Sequence, residues 1–141
     1  MNGYIPPTSV APFRAQYRLR LVAGTHSARH IRAIARTLLD EWRMAELTHA
    51  VELGVTELVA NVVRHVPDRR CEVLILRQAG AVRVEVADGS PQLPVSASEL
   101  SLSAEGGRGL LLLEAVADKW GVGPVSEGGK AVWFECWCGN T

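Results

Sequence analysis

Residues 46–65 read ELTHAVELGVTELVANVVRH, and the spacing of apolar residues in this stretch decides the architecture around it. Leu47, Val51, Val55, Leu58, Val59, Val62 and Val66 recur at helical spacing before Pro67 ends the run. A helix is therefore expected from near Glu46 to His65. Glu57 and Asn61 interrupt the apolar surface four residues apart, and so project from nearly the same face. A carboxylate and an uncharged amide oxygen in that arrangement can serve a hard cation such as magnesium. Gly54 precedes them, where a bulky side chain would crowd a ligand; Arg64 and His65, one turn later, could meet phosphate oxygens. Taken alone, the same stripe also reads as an ordinary solvated helix face.

Upstream, Ala15, Tyr17, Leu19 and Leu21 alternate with Gln16, Arg18 and Arg20, the pattern of a half-buried strand. Thr25 or Ser27 can cap a helix carrying Ile31, Ile34, Leu38, Leu39 and Trp42. Downstream, Cys71–Gln78 and Ala81–Ala87 form a hairpin about Ala79-Gly80. Val82, Val84 and Val86 alternate there with Arg83 and Glu85, as in a sheet with one exposed face. Residues 88–106 carry no period and form a long loop, of a length that in small domains usually serves function. A third helix is expected from Gly109 to Asp118, then a second hairpin, Trp120–Val125 and Lys130–Trp137. Helices gathered between antiparallel hairpins predict an α+β fold: a two-layer α/β sandwich whose mixed, mostly antiparallel sheet carries about three helices on one face.

The chain of 141 residues suits one domain, expected over 14–141 behind a disordered arm at 1–13 that contains Pro6, Pro7 and Pro12. Hydrophobic residues make up 48%, enough for a substantial core, and charged residues 21%. The formal net charge is zero, so no bulk electrostatic attraction to nucleic acid or to anionic membrane is expected. No secretory leader and no apolar run long enough to span a bilayer is apparent, and the expected location is cytoplasmic. Cys71, Cys136 and Cys138 lack metal-ligand spacing and read as free thiols.

Two further motifs carry chemistry. Asp88 ends a strand and enters Asp88-Gly89-Ser90-Pro91. A carboxylate there can accept from an exocyclic amine such as adenine presents, although Asp-Gly is equally ordinary turn chemistry. Gly106-Gly107-Arg108-Gly109-Leu110 opens the third helix, where glycines let the backbone close on a ligand and free N–H groups attract phosphate. The alternative is a flexible loop before a helix. No Gly-Lys-Ser/Thr follows, so this is not a Walker loop.

In order, the chain presents Glu-x-x-x-Asn on a helix, Asp at a strand end, a long loop, Gly-x-Gly at a helix start, and Gly128-Gly129-Lys130 opening the last strand. This series resembles the gyrase and histidine-kinase type ATPase superfamily, and within it the small anti-sigma factor serine kinases of bacteria, over roughly residues 14–137. Glu57–His65 resembles that family's N box, Asp88 its first glycine box, and Gly107-Arg108-Gly109-Leu110 its second. The resemblance implies ATP and Mg2+ as ligands. It implies that Asn61 ligates magnesium, that Glu57 is the general base, and that Asp88 with Gly89 receives the adenine. Gly107 and Gly109 would hinge a lid over the phosphates, with Arg108 near the γ-phosphate and Leu110 following; Arg64 and His65 complete the binding set. Residues 92–106 would form the lid.

The sequence departs from the family's pattern in three places. Ser90 and Gln92 stand at the two glycine positions after Asp88, and Lys130 replaces the usual threonine after the last glycine pair. The function implied is an ATP-binding anti-sigma factor with serine/threonine protein kinase activity toward a small antagonist protein. Its partners would be a sigma factor, that antagonist, or a second copy in a homodimer. The alternative is a catalytically inactive nucleotide-binding regulator that acts by binding a partner.

Overall fold

A computed structural model of the chain describes residues 3–5, 15–90, 112–125 and 128–139. Its elements are β1 (Gln16–Val22), α1 (Ser27–Glu41), a 3-10 turn (Ala45–Leu47), α2 (Thr48–His65), β2 (Arg70–Gln78), β3 (Ala81–Asp88), β4 (Lys119–Pro124) and β5 (Lys130–Trp137). Of the third helix expected to Asp118, the described residues 112–118 are helical over 112–116, so it ends two residues earlier than expected. Helix α1 does not use Thr25 or Ser27 as expected. Ser27 is already helical, and its hydroxyl accepts from the Gly24 N–H rather than capping the first turn. The helix ends where Arg43 takes a left-handed φ of 60° and Met44 N–H returns to the Leu39 carbonyl. Helix α2 stops because Val66 precedes a proline and is extended.

The strands form one sheet in the order β1-β2-β3-β5-β4, with every pairing antiparallel. The mixed sheet expected from sequence is thus antiparallel throughout the described residues. The last hairpin joins the sheet by its second strand: β4 runs parallel to β3 but lies beyond β5, so no parallel neighbours arise. Gly80 turns the β2–β3 hairpin at a φ of 69°.

One sheet face carries Val73, Ile75, Val82, Val84, Val86, Val132 and Phe134, and packs under the helices as the core. Helix α2 lies between α1 and strands β3 and β5. Gly54 is the point of closest approach. A Cβ there would lie within 2.8 Å of the Phe134 ring, which is fully buried. Gly54 therefore makes room for a core aromatic rather than for a ligand, which corrects the sequence reading.

The opposite face is not simply solvated, either. Arg83 is 1% exposed. Its Nε donates to Glu85 Oε2 at 2.7 Å and its Nη1 to Glu135 Oε2 at 3.0 Å. The guanidinium stacks 4.1 Å from the Trp133 ring centroid and also lies over Tyr4. Residues 3–5, within the stretch read as an arm, run across this surface. The Tyr4 hydroxyl donates to Glu85, the Ile5 carbonyl accepts from Arg83, and the Trp133 indole donates to the Gly3 carbonyl. Gly123 lacks a Cβ where the Tyr4 backbone crosses it. Alternation along β3 thus marked which side chains share a face, but not that the polar face would be covered.

Gly54→Ala should lower stability even though alanine favours helix by about 1 kcal/mol, because overpacking against Phe134 costs about 1–3 kcal/mol. Combining it with Phe134→Leu should show a favourable coupling in a urea-unfolding double-mutant cycle. A Gly54→Ala protein at least as stable as its parent would mean that the ring moves aside freely.

Candidate functional site

Asn61 lies seven residues beyond Gly54, which brings it back to within about 20° of the same helix face. It therefore points toward the sheet and is 7% exposed. Glu57, half-buried, sits beside it on α2. The Asn61 Nδ2 is buried and makes no hydrogen bond among the described residues. A buried amide without a partner costs about 1–3 kcal/mol, so it calls for an explanation. Since the O and N atoms of an amide are assigned from the bonds they make, either can face this space.

The chain leaves α2, crosses residues 66–69 and enters β2, whose Cys71 pairs with Asp88 at the end of β3. The last turns of α2 consequently lie over the Asp88 end of the sheet. Asp88 itself is buried on the helix-facing side, opposite Lys130 in the β3–β5 ladder. Lys130 Nζ donates to Asp88 Oδ1 at 2.9 Å, with side chains only 5% and 2% exposed. The Ser90 N–H donates to the same Oδ1 at 2.9 Å, which closes the turn after the strand. Turn chemistry and a buried carboxylate therefore coexist at Asp88.

The two strands meet closely here. A Cβ on Gly129 would overlap the Asp88 carbonyl oxygen and lie 3.1 Å from the Cα of Gly89. Cys71, alongside Asp88, is pushed up to about 11 by burial first and by the Asp88 charge second, so it stays a thiol at neutral pH. Burial first, then the nearby Asp118 and Glu135 charges, push Cys136 up to about 12.

Arg64 and His65 are exposed in the last turn of α2, and Gly89 is exposed after β3. Gly107, Arg108, Gly109 and Leu110, with the lid expected over 92–106, lie outside the described residues. A cleft of about 680 Å³ at this end of the sheet is lined by Leu21, Val22, Cys71, Asp88 and Gly129 among others, and by no residue of α2. Asp88 and Gly129 thus border this cleft, while Asn61 and Glu57 sit on the sheet-facing side of α2 at the same end of the sheet. Lys130 was legible in the sequence only as a departure from a family pattern. That it contacts Asp88 follows from the hairpin register, which carries no residue-type signal.

The profile of the histidine kinase-like ATPase domain matches residues 21–136. The chain belongs to that family. Membership makes this an ATP-binding fold, with the α+β architecture expected of a histidine-kinase-like ATPase domain. Comparison with curated proteins gives no match. Among solved structures, the crystal structure of the RsbU and RsbW domains of Rv1364c from Mycobacterium tuberculosis is similar. It superposes with a TM-score of 0.54 at 22% identity, over 86% of this chain and 32% of that one. The likeness concerns the fold, and the chain spans about a third of the length of that protein. No helix among the described residues is long and apolar enough to cross a membrane.

Gly129→Ala should force β3 and β5 apart at the site and destabilise the domain by about 2 kcal/mol or more, since backbone has no rotamer with which to yield. Urea unfolding measures this. Unchanged stability would show that the strands can separate there without loss.

Proposed function

We propose that this chain is an ATP-binding regulator of the anti-sigma factor type, with serine/threonine protein kinase activity toward a small antagonist protein. The observation that carries the reading is the buried, unpartnered amide of Asn61 beside Glu57, on the inner face of α2 in an ATPase-family fold. An amide left without a hydrogen bond inside a protein is suited to a ligand that supplies the missing partner. Asn61 would hold magnesium by its Oδ1, with phosphate oxygens and water filling the remaining positions, as this ion prefers. The ion would neutralise charge on the phosphates.

Glu57 would accept the proton of a serine hydroxyl as its oxygen bonds to the γ-phosphorus and ADP departs. Glu57 is half-buried and forms no ion pair among the described residues, so its carboxylate is available to a substrate hydroxyl. Asp88 would accept from the adenine amine, with Gly89 beside it. Arg64, His65, Gly107, Arg108, Gly109 and Leu110 would complete the phosphate side. The sequence resemblance to the anti-sigma factor serine kinases supports a sigma factor or its antagonist as partner.

Asn61→Ala should weaken magnesium-ATP binding about tenfold, or ~1.4 kcal/mol, in a calorimetric titration. It should not lower the melting temperature, because the substitution removes an unsatisfied buried group. Equal affinity for both proteins would remove Asn61 from the site.

Glu57→Gln should keep ATP binding while phosphotransfer to a serine of the antagonist falls by roughly 10²–10⁴. Undiminished transfer would remove Glu57 from the mechanism. A parent protein that binds ATP and phosphorylates no antagonist would instead support a catalytically inactive regulator.

A further inference from the structure

The Asp88–Lys130 pair is unusual for a base-reading carboxylate, because an ammonium already sits against it. Lys130 has three N–H bonds, and only the one to Asp88 Oδ1 finds an acceptor among the described residues. Asp88 Oδ1 receives both Lys130 and the Ser90 N–H, while Oδ2 accepts no hydrogen bond among those residues. Both side chains are more than nine-tenths buried on the helix-facing side of the sheet. Gly129 keeps the strands close enough to hold the pair in register. The pair therefore offers a ligand one spare acceptor with charged donors directly beside it.

That order of groups has a complement. An acceptor next to a donor matches an exocyclic amine next to an unprotonated ring nitrogen. On adenine these are the N6 amine and N1. Guanine in the same pose would set its O6 against the carboxylate and its N1–H against the ammonium, two mismatches in place of two hydrogen bonds. A lone carboxylate would read only the amine.

We infer that Lys130 is a second base-reading residue, donating directly to N1 of adenine while Asp88 accepts from the N6 amine. This rests on the proposed ATP-binding reading of the same site. The buried ion pair is then more than charge compensation: the carboxylate holds the ammonium in place, and the ammonium supplies specificity the carboxylate lacks. A hydrogen bond from a charged donor to a neutral acceptor should contribute roughly ten- to a hundredfold in affinity.

The test is calorimetric titration of the full chain with magnesium and either ATP, 1-deaza-ATP, in which N1 is a C–H, or GTP. The parent should bind 1-deaza-ATP roughly tenfold or more weakly than ATP, and GTP more weakly still. Lys130→Met should lose a similar factor for ATP and bind ATP and 1-deaza-ATP alike. The analogue comparison on the parent needs no substitution, so it decides the matter even if Lys130→Met fails to fold. Equal binding of ATP and 1-deaza-ATP by the parent would overturn the inference and leave ATP binding standing. So would a Lys130→Met protein that keeps the full penalty for the analogue. A parent that binds no ATP would overturn both readings together.

Discussion

Everything at the candidate site depends on how closely α2 settles on the sheet, and that distance is set where Gly54 meets Phe134. With no side chain at Gly54, the helix lies directly on an aromatic ring of β5. From this contact the helix runs about 10 Å to Asn61, and β5 runs about 13 Å back to Lys130. Both displacements lead to the same end of the sheet, because residues 66–69 return the chain from α2 to β2 beside Asp88. Register matters as much as distance. A one-residue slip in β5 would turn Lys130 and Phe134 to the other face together.

The other face is organised by a different interaction. Arg83 is buried between Trp133 and Tyr4 and is neutralised by Glu85 and Glu135 on neighbouring positions of β3 and β5. An isolated guanidinium at that depth would be severely destabilising; paired, stacked and bonded to the Ile5 carbonyl, it is tolerated. Burial, more than the neighbouring Glu85 charge, also raises the Tyr4 hydroxyl above its ordinary range, so Tyr4 stays a donor to that carboxylate. The sheet thus has an apolar face under helices and a charged face under residues 3–5. Each is satisfied by its own chemistry.

The two buried polar features of the site differ in kind. Asp88 and Lys130 compensate one another, whereas the Asn61 Nδ2 has no hydrogen-bond partner among the described residues. Neither arrangement is what folding stability alone would favour, since an apolar pair in place of the ions is often as stable and an unsatisfied amide is a cost. Groups kept under such conditions at the end of a sheet, in an ATPase-family fold, support the proposal that a nucleotide binds there.

Much of this was written in the chain itself. Local rules of period and punctuation determined the helix that stops before Pro67, the hairpin at Ala79-Gly80 and the order of elements, because these depend on neighbours a few residues away. The spacing of Glu57 and Asn61 likewise fixed their common helix face. Only tertiary structure decided what each face met. Gly54 proved to accommodate Phe134, eighty residues later in the chain, and the alternating charges of β3 proved to be covered by residues 3–5. Lys130 reached Asp88 only because β5 inserts beside β3, a pairing of strands forty-two residues apart. A sequence records how often a side chain returns to one side of its own element; which distant element lies there is settled by packing the whole core at once.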